Sequence, residues 1–154
     1  MAETANVWST VANSSAAPFN IFFNNIDTTS NGGIFLSGGN VVVPNIGTYL
    51  ADFKIQTLPN FGVSPAIGDV FNTRFALYSS GYRIPTSVTS DESKRTAFPG
   101  GDEELGIVSA SCLFEVIQAA TTLVLTCESG GVITNQQPPF GDPLPSATLT
   151  ITPM

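Results

Sequence analysis

Apolar residues in this 154-residue chain recur at every second position, and no stretch of a dozen repeats them at the spacing of a helix. Successive side chains alternate faces along a strand, whereas a helix needs apolar residues three and four apart. The chain is therefore committed to sheets with one buried face. Gly47 to Gln56 shows the pattern most plainly: Tyr49, Ala51, Phe53 and Ile55 share one face, and Leu50, Asp52, Lys54 and Gln56 share the other. Val70 to Tyr78 sets Phe71, Phe75 and Leu77 against Asn72 and Arg74, and Ala147 to Thr152 sets Ala147, Leu149 and Ile151 against three threonines. Shorter strands are expected at Phe19 to Phe23, Gly33 to Leu36 and Asn40 to Val43, with a further one around Tyr82 to Val88. Eight to ten short strands separated by turn residues predict an all-β sandwich or jelly roll in one domain.

One strand departs from the one-faced pattern. Ile107 to Ile117 is apolar on both sides, with Cys112, Phe114 and Val116 on one face and Leu113 and Ile117 on the other, Glu115 between them. A strand covered twice in a small protein needs a second contact. Either a loop lies over the outer face or a second subunit does. Thr122 to Glu128 follows, with Leu123, Leu125 and Cys127 on one face. Thr89 to Glu104 carries seven of the seventeen charges, and Ser129 to Ser146 carries four prolines; both read as surface loops. Residues 1–18 are polar apart from Val7, Trp8 and Val11, and read as an N-terminal arm in front of a domain spanning 19–154.

Composition narrows the function. Charged residues make up 11% of the chain, against a usual quarter, and histidine is absent. Without imidazole there is no Ser-His-Asp triad, no Cys-His dyad and no histidine-ligated zinc. Five scattered cations against twelve acids offer no patch for nucleic acid. No apolar run is long enough to span a bilayer. The N-terminus shows neither a basic region nor an apolar one, so a soluble protein made without a signal peptide is expected. The sequon Asn13-Ser14-Ser15 is what chance supplies in an Asn- and Ser-rich chain. Few charges, no histidine and many small polar residues describe a structural subunit rather than an enzyme, and no cofactor or metal is expected.

Two cysteines need placing. A two-residue turn at Ala119-Ala120 would set Val116 opposite Leu123, Phe114 opposite Leu125 and Cys112 opposite Cys127. In that register the pair is either two reduced, buried thiols or a cross-strand disulfide. Neither belongs to a CxxC motif, so a catalytic thiol is not expected. Asp102-Glu103-Glu104 reads as a solvated acidic loop rather than a calcium site, and Asp91 and Glu92 stand near Lys94 and Arg95 as local charge compensation. Asp52, Glu115 and Glu128 are the carboxylates expected within strands, and no motif links them as a glycosidase pair. Trp8, Tyr49, Tyr78 and Tyr82 either line a sugar-binding surface or divide between core and edge.

Val43-Pro44-Asn45-Ile46-Gly47-Thr48-Tyr49-Leu50-Ala51-Asp52-Phe53 resembles the Pro, Gly-x-Tyr-x-x-x-Phe strand of the tumour necrosis factor and complement globular-head superfamily. Phe71 to Tyr78, Val116 to Leu125 and the closing Ser146 to Thr152 are similar to further strands of that superfamily, so the likeness covers roughly residues 19–154. Within it the chain looks most like the bacterial branch, which includes the head of the collagen-like exosporium glycoprotein and basal-layer spore proteins, although no collagen repeat is present. The resemblance implies a ten-strand jelly roll assembling as a homotrimer. Gly47 would allow a sharp turn into the strand, and Tyr49 would start the core face. Leu113, Glu115 and Ile117 would lie at the trimer contact. Val7, Trp8 and Val11 would anchor the arm in the next trimer of a stack. The implied role is a spore-surface layer, exosporium or thin fibre, with itself and other fibre proteins as partners. The alternative is the trimeric receptor- or glycan-binding head of a phage, viral or cell-surface fibre.

Overall fold

The computed structural model describes residues 4–11, 17–27, 33–58, 70–94, 106–130, 132–133 and 145–154. Within them thirteen strand segments run in chain order: β1 (Ala5–Ser9), β2 (Phe19–Asn20), β3 (Asn25–Ile26), β4 (Phe35–Ser37), β5 (Asn40–Val43), β6 (Gly47–Leu58), β7 (Val70–Ser79), β8 (Tyr82–Arg83), β9 (Thr89–Lys94), β10 (Gly106–Val116), β11 (Thr121–Ser129), β12 (Val132–Ile133) and β13 (Ala147–Pro153). They form two antiparallel sheets. Sheet A has the order β10-β6-β13-β1-β3, with β12 also on β6; sheet B has the order β4-β5-β11-β7-β8, with β2 on β11 and β9 on β7. The chain crosses repeatedly between the layers, as in a jelly roll.

The core is built by the predicted alternation. Ala51, Phe53 and Ile55 of β6, Leu149 and Ile151 of β13, and Cys112, Phe114 and Val116 of β10 face inward from sheet A. Phe75 and Leu77 of β7, and Leu123, Leu125 and Cys127 of β11, face them from sheet B. Each fully buried aliphatic or aromatic side chain contributes roughly 1.5–3 kcal/mol. Tyr49 starts the core face as expected. Its ring stacks on Phe114 with centroids 5.6 Å apart, and its hydroxyl donates to the Asn45 carbonyl at 2.9 Å. Gly47 is not required by space there, since an added Cβ would stand 3.5 Å from the Tyr49 ring, an ordinary contact.

Three expectations are overturned. First, β10 and β11 do not pair. β10 runs beside β6 in sheet A and β11 beside β5 and β7 in sheet B, so Ile117 to Ala120 carries the chain between sheets. The predicted hairpin needs positive φ at both turn residues, and only Ala120 has it, at 61°. The segment is held instead by Ala120 N–H on the Pro44 carbonyl and the Thr121 hydroxyl on the Gln118 carbonyl. Genuine two-residue turns of this kind occur where both φ values are positive, at Gly38-Gly39 and Ser80-Gly81. Apolar inner faces fit either arrangement, because they meet as readily across a sandwich as along a ladder. Cys112 and Cys127 consequently stand on different sheets as separate buried thiols, not as a cross-strand pair.

Second, residues 5–9, expected in an N-terminal arm, form a strand of sheet A. Residues 5–9 pair with β13 over five positions, and Ala5, Val7 and Ser9 are buried in the core. Ser146 N–H closes the end of this ladder on the Ser9 carbonyl at 2.7 Å. Val7 is therefore a core residue of its own subunit, buried rather than presented to a neighbour. Trp8 points out of the sheet and is half-buried, and Val11 is exposed beyond the strand. Third, the charge-rich stretch from Thr89 begins as a strand, β9, at the edge of sheet B. Charged residues belong on edges, where they discourage further pairing. Asp91 and Glu92 thus join Asp52, Glu115 and Glu128 as strand carboxylates. Asp102-Glu103-Glu104 and the sequon at Asn13 lie outside the described residues.

Candidate functional site

Sheet A turns its other face outward, and the strand registers fix what that face shows. Adjacent positions on β10, β6, β13 and β1 form rows across it. One row reads Leu113, Leu50, Thr152, Thr4; the next reads Ser111, Asp52, Thr150, Asn6; the next reads Ser109, Lys54, Thr148, Trp8. Glu115 stands opposite Thr48 one row above Leu113, and Ile107 stands opposite Gln56 at the far end. Ile107 is 70% exposed, Leu113 56% and Ile117 76%, all from β10 or the residue after it. Ile46 and Met154 extend the apolar exposure at the Ile117 end. Leu113 and Glu115 share the outward face of β10, and Ile117, exposed just beyond the strand, lines a depression with Tyr82 and Arg83. No described loop buries Leu113 or Ile117.

The centre of this face is polar and closely knit. The Ser111 hydroxyl donates to the Asp52 carboxylate, the Thr150 hydroxyl to the Asn6 amide oxygen at 2.9 Å, and the Thr4 and Thr152 hydroxyls lie 3.2 Å apart. Small side chains on either side of Asp52 and Lys54 leave a depression of about 500 Å3 lined by Ser109, Ser111, Thr148 and Thr150.

The outward face of sheet B is organised differently. Glu128 of β11, only 8% exposed at its side chain, gathers three partners from β7 and β8. Tyr78 Oη donates to Oε1 at 2.6 Å, Arg74 Nε to Oε2 at 2.8 Å, and Arg83 Nη1 reaches both oxygens at 3.0 and 2.9 Å. Burial pushes the Glu128 carboxyl up, but the Tyr78 and Arg83 hydrogen bonds and the two arginine charges together outweigh it and hold the group below its ordinary range. The same hydrogen bond raises the Tyr78 phenol. The cluster lies within one chain and sets one carboxylate against two arginines. It was missed because Glu128 is 45 to 54 residues from its three partners; the one local sign is a lone acid on the outward face of β11.

The structure does not gather the other candidates. Trp8 is on the sheet A face, Tyr78 on sheet B, Tyr49 in the core, and Tyr82 at the β7–β8 turn, so no common aromatic platform exists. Glu128 is on the opposite sheet from Asp52 and Glu115, which breaks the carboxylate pairings that include it. Burial pushes both cysteine thiols up to about 11, too high for a nucleophile at neutral pH. Among the described residues no group of three His, Cys, Asp or Glu is placed to hold a metal, and no helix is long and apolar enough to cross a membrane.

The chain shares its fold with murine APRIL. Crystal structures of that protein at pH 5.0 and pH 8.0 superpose with TM-scores of 0.61 and 0.60, covering 100% of both chains, at 9% and 11% identity. The architecture is therefore the TNF-like jelly roll. At such identities the likeness to murine APRIL concerns the fold. No protein-family model and no curated protein matches the sequence.

Proposed function

We propose that the chain is a non-enzymatic structural subunit that assembles as a homotrimer through the outward face of sheet A. One observation carries this reading: β10, at the edge of the sheet, exposes Ile107 and Leu113 on the same side as Leu50 and Trp8, with Ile117 exposed just past its end, while most other described apolar residues are buried. Aligned exposed apolar side chains mark interaction surfaces. The TNF-like fold and the trimer implied by the strand motifs agree with it. A spore-surface layer or thin fibre is the setting those motifs suggest, built by contacts other than an N-terminal arm, since residues 5–9 belong to the subunit's own sheet.

A second reading, the head of a receptor- or glycan-binding fibre, is favoured by Tyr82. That ring is 81% exposed on the rim of a depression of about 440 Å3 that also contains Arg83, Glu115 and Gln118. Electron microscopy and a glycan array on the purified protein separate the two. Filaments or sheets support the structural role, and discrete particles that retain glycans support the second. Sedimentation equilibrium tests the trimer itself, and a monomer at micromolar concentration overturns it.

A further inference from the structure

We propose that Asp52 and Lys54 set the register of self-association, the Asp52 carboxylate of one copy meeting the Lys54 ammonium of the next. The inference rests on the reading of the sheet A face as a contact between copies, and adds which groups align them. The two residues stand two apart on β6, on the same outward face, in adjacent central rows. Both ion pairs among the described residues belong to Glu128 on the other sheet, so Asp52 and Lys54 pair neither with each other nor with another charge there. Asp52 takes only the Ser111 hydroxyl, and Lys54 is exposed between Ser109 and Thr148. In a chain with so few charges, an acid and a base side by side on one face, without an ion pair among the described residues, in an otherwise uncharged Ser/Thr band are a specific arrangement. The depression above them has room for a side chain from outside.

The charge pattern selects the occupant. A ligand of one sign would match one residue and be repelled by the other. A second copy presents both signs, and rotation about a three-fold axis brings each Asp52 toward the next Lys54, closing a ring of six alternating charges. Such pairs contribute specificity more than affinity, while like charges brought together are strongly unfavourable. Leu113 and Ile117 would supply the apolar contact, and the pair would fix how the faces align.

The test uses the whole chain in four forms: wild type, Asp52→Lys, Lys54→Asp and the double exchange, each checked for folding by circular dichroism. Sedimentation equilibrium is expected to show each single variant associating at least roughly tenfold more weakly than wild type. The double exchange should return to within a few-fold of wild type. Wild type is also mixed as light and 15N-labelled chains and treated with a carbodiimide, which joins only carboxylates and amines in contact; a light–heavy Asp52–Lys54 cross-link is expected. If either single variant fails to fold, Asp52→Asn and Lys54→Gln replace it, with weaker association expected. A monomeric wild type overturns the proposed function as well. An assembled wild type whose charge variants associate equally tightly, whose double exchange is not restored, or which gives no light–heavy cross-link overturns this inference alone.

Discussion

Replacing Glu128 by Gln tests whether the charged cluster on sheet B holds β7, β8 and β11 together. The carboxylate accepts from Tyr78 at 2.6 Å, from Arg74 at 2.8 Å, and from Arg83 through both oxygens. A glutamine keeps the shape and one acceptor but turns an N–H donor toward an arginine and removes the charge. Hydrogen bonds to a charged group contribute about 1.5–3 kcal/mol each. Stranding a fully buried partner costs about 3–5 kcal/mol, but the Arg74 and Arg83 side chains are 48% and 45% exposed and recover hydration. The expected loss is therefore about 2 kcal/mol at pH 7, read by urea denaturation at fixed protein concentration. The pH dependence follows from the depressed carboxyl. A group whose folded pKa lies below its unfolded value stabilises fully above the unfolded value, and that contribution disappears as pH falls through the folded one. The gap between wild type and variant should be full at pH 7 and shrink as the pH is lowered toward 3. A difference under about 0.5 kcal/mol at pH 7, or one that does not change with pH, would refute the reasoning.

Three further outcomes follow from local geometry. Gly39→Ala should destabilise more than Gly38→Ala: both have positive φ, but an added Cβ at Gly39 would collide with the Phe22 ring while nothing lies within 4 Å at Gly38. Thermal melts should show about 1 kcal/mol for Gly38 and about 2 for Gly39. Ala120→Gly should stabilise by about 0.5 kcal/mol by relieving the left-handed φ of 61°, measurable as a small rise in melting temperature. With thiols at about 11 and buried, Cys112 and Cys127 should react with a thiol reagent at pH 8 at the rate of unfolding, and promptly in urea; fast labelling of the native protein would contradict their placement.

Period-two patterning was enough to place strands at Asn40 to Val43, Gly47 to Gln56 and Ala147 to Thr152 and to divide their faces; the structure extends the last two to Leu58 and Pro153. Burial of one sheet face fixes register, and a single-residue slip would expose Phe53 or Leu149. The same pattern cannot say which strands are neighbours. Phe114 and Leu125 present apolar faces whether they meet along a ladder or across the sandwich, so the hairpin between their strands was a fair reading of local sequence and was wrong in space. The N-terminal strand was hidden for a related reason: Ala5, Val7 and Ser9 are too small to look like a core face until β13, far along the chain, lies beside them. β9 was hidden by its charges, which suit an edge strand as well as a loop. The outward exposure of Leu113 was legible, because it breaks the polar alternation within its own strand. The alignment of Asp52 and Lys54 with the Ser/Thr rows depended on the registers of three neighbouring strands.

The central claim is that the outward face of sheet A is buried between copies. Sedimentation equilibrium of wild type and Leu113→Arg, at matched concentration, tests it most directly. The substitution puts a charge on a side chain that is 56% exposed in the single chain, so folding should survive. A wild-type mass three times 16.1 kDa, falling to the single-chain mass in the variant, is the predicted result. A wild type that sediments as a single chain, or a Leu113→Arg trimer as stable as the wild type, would contradict the account.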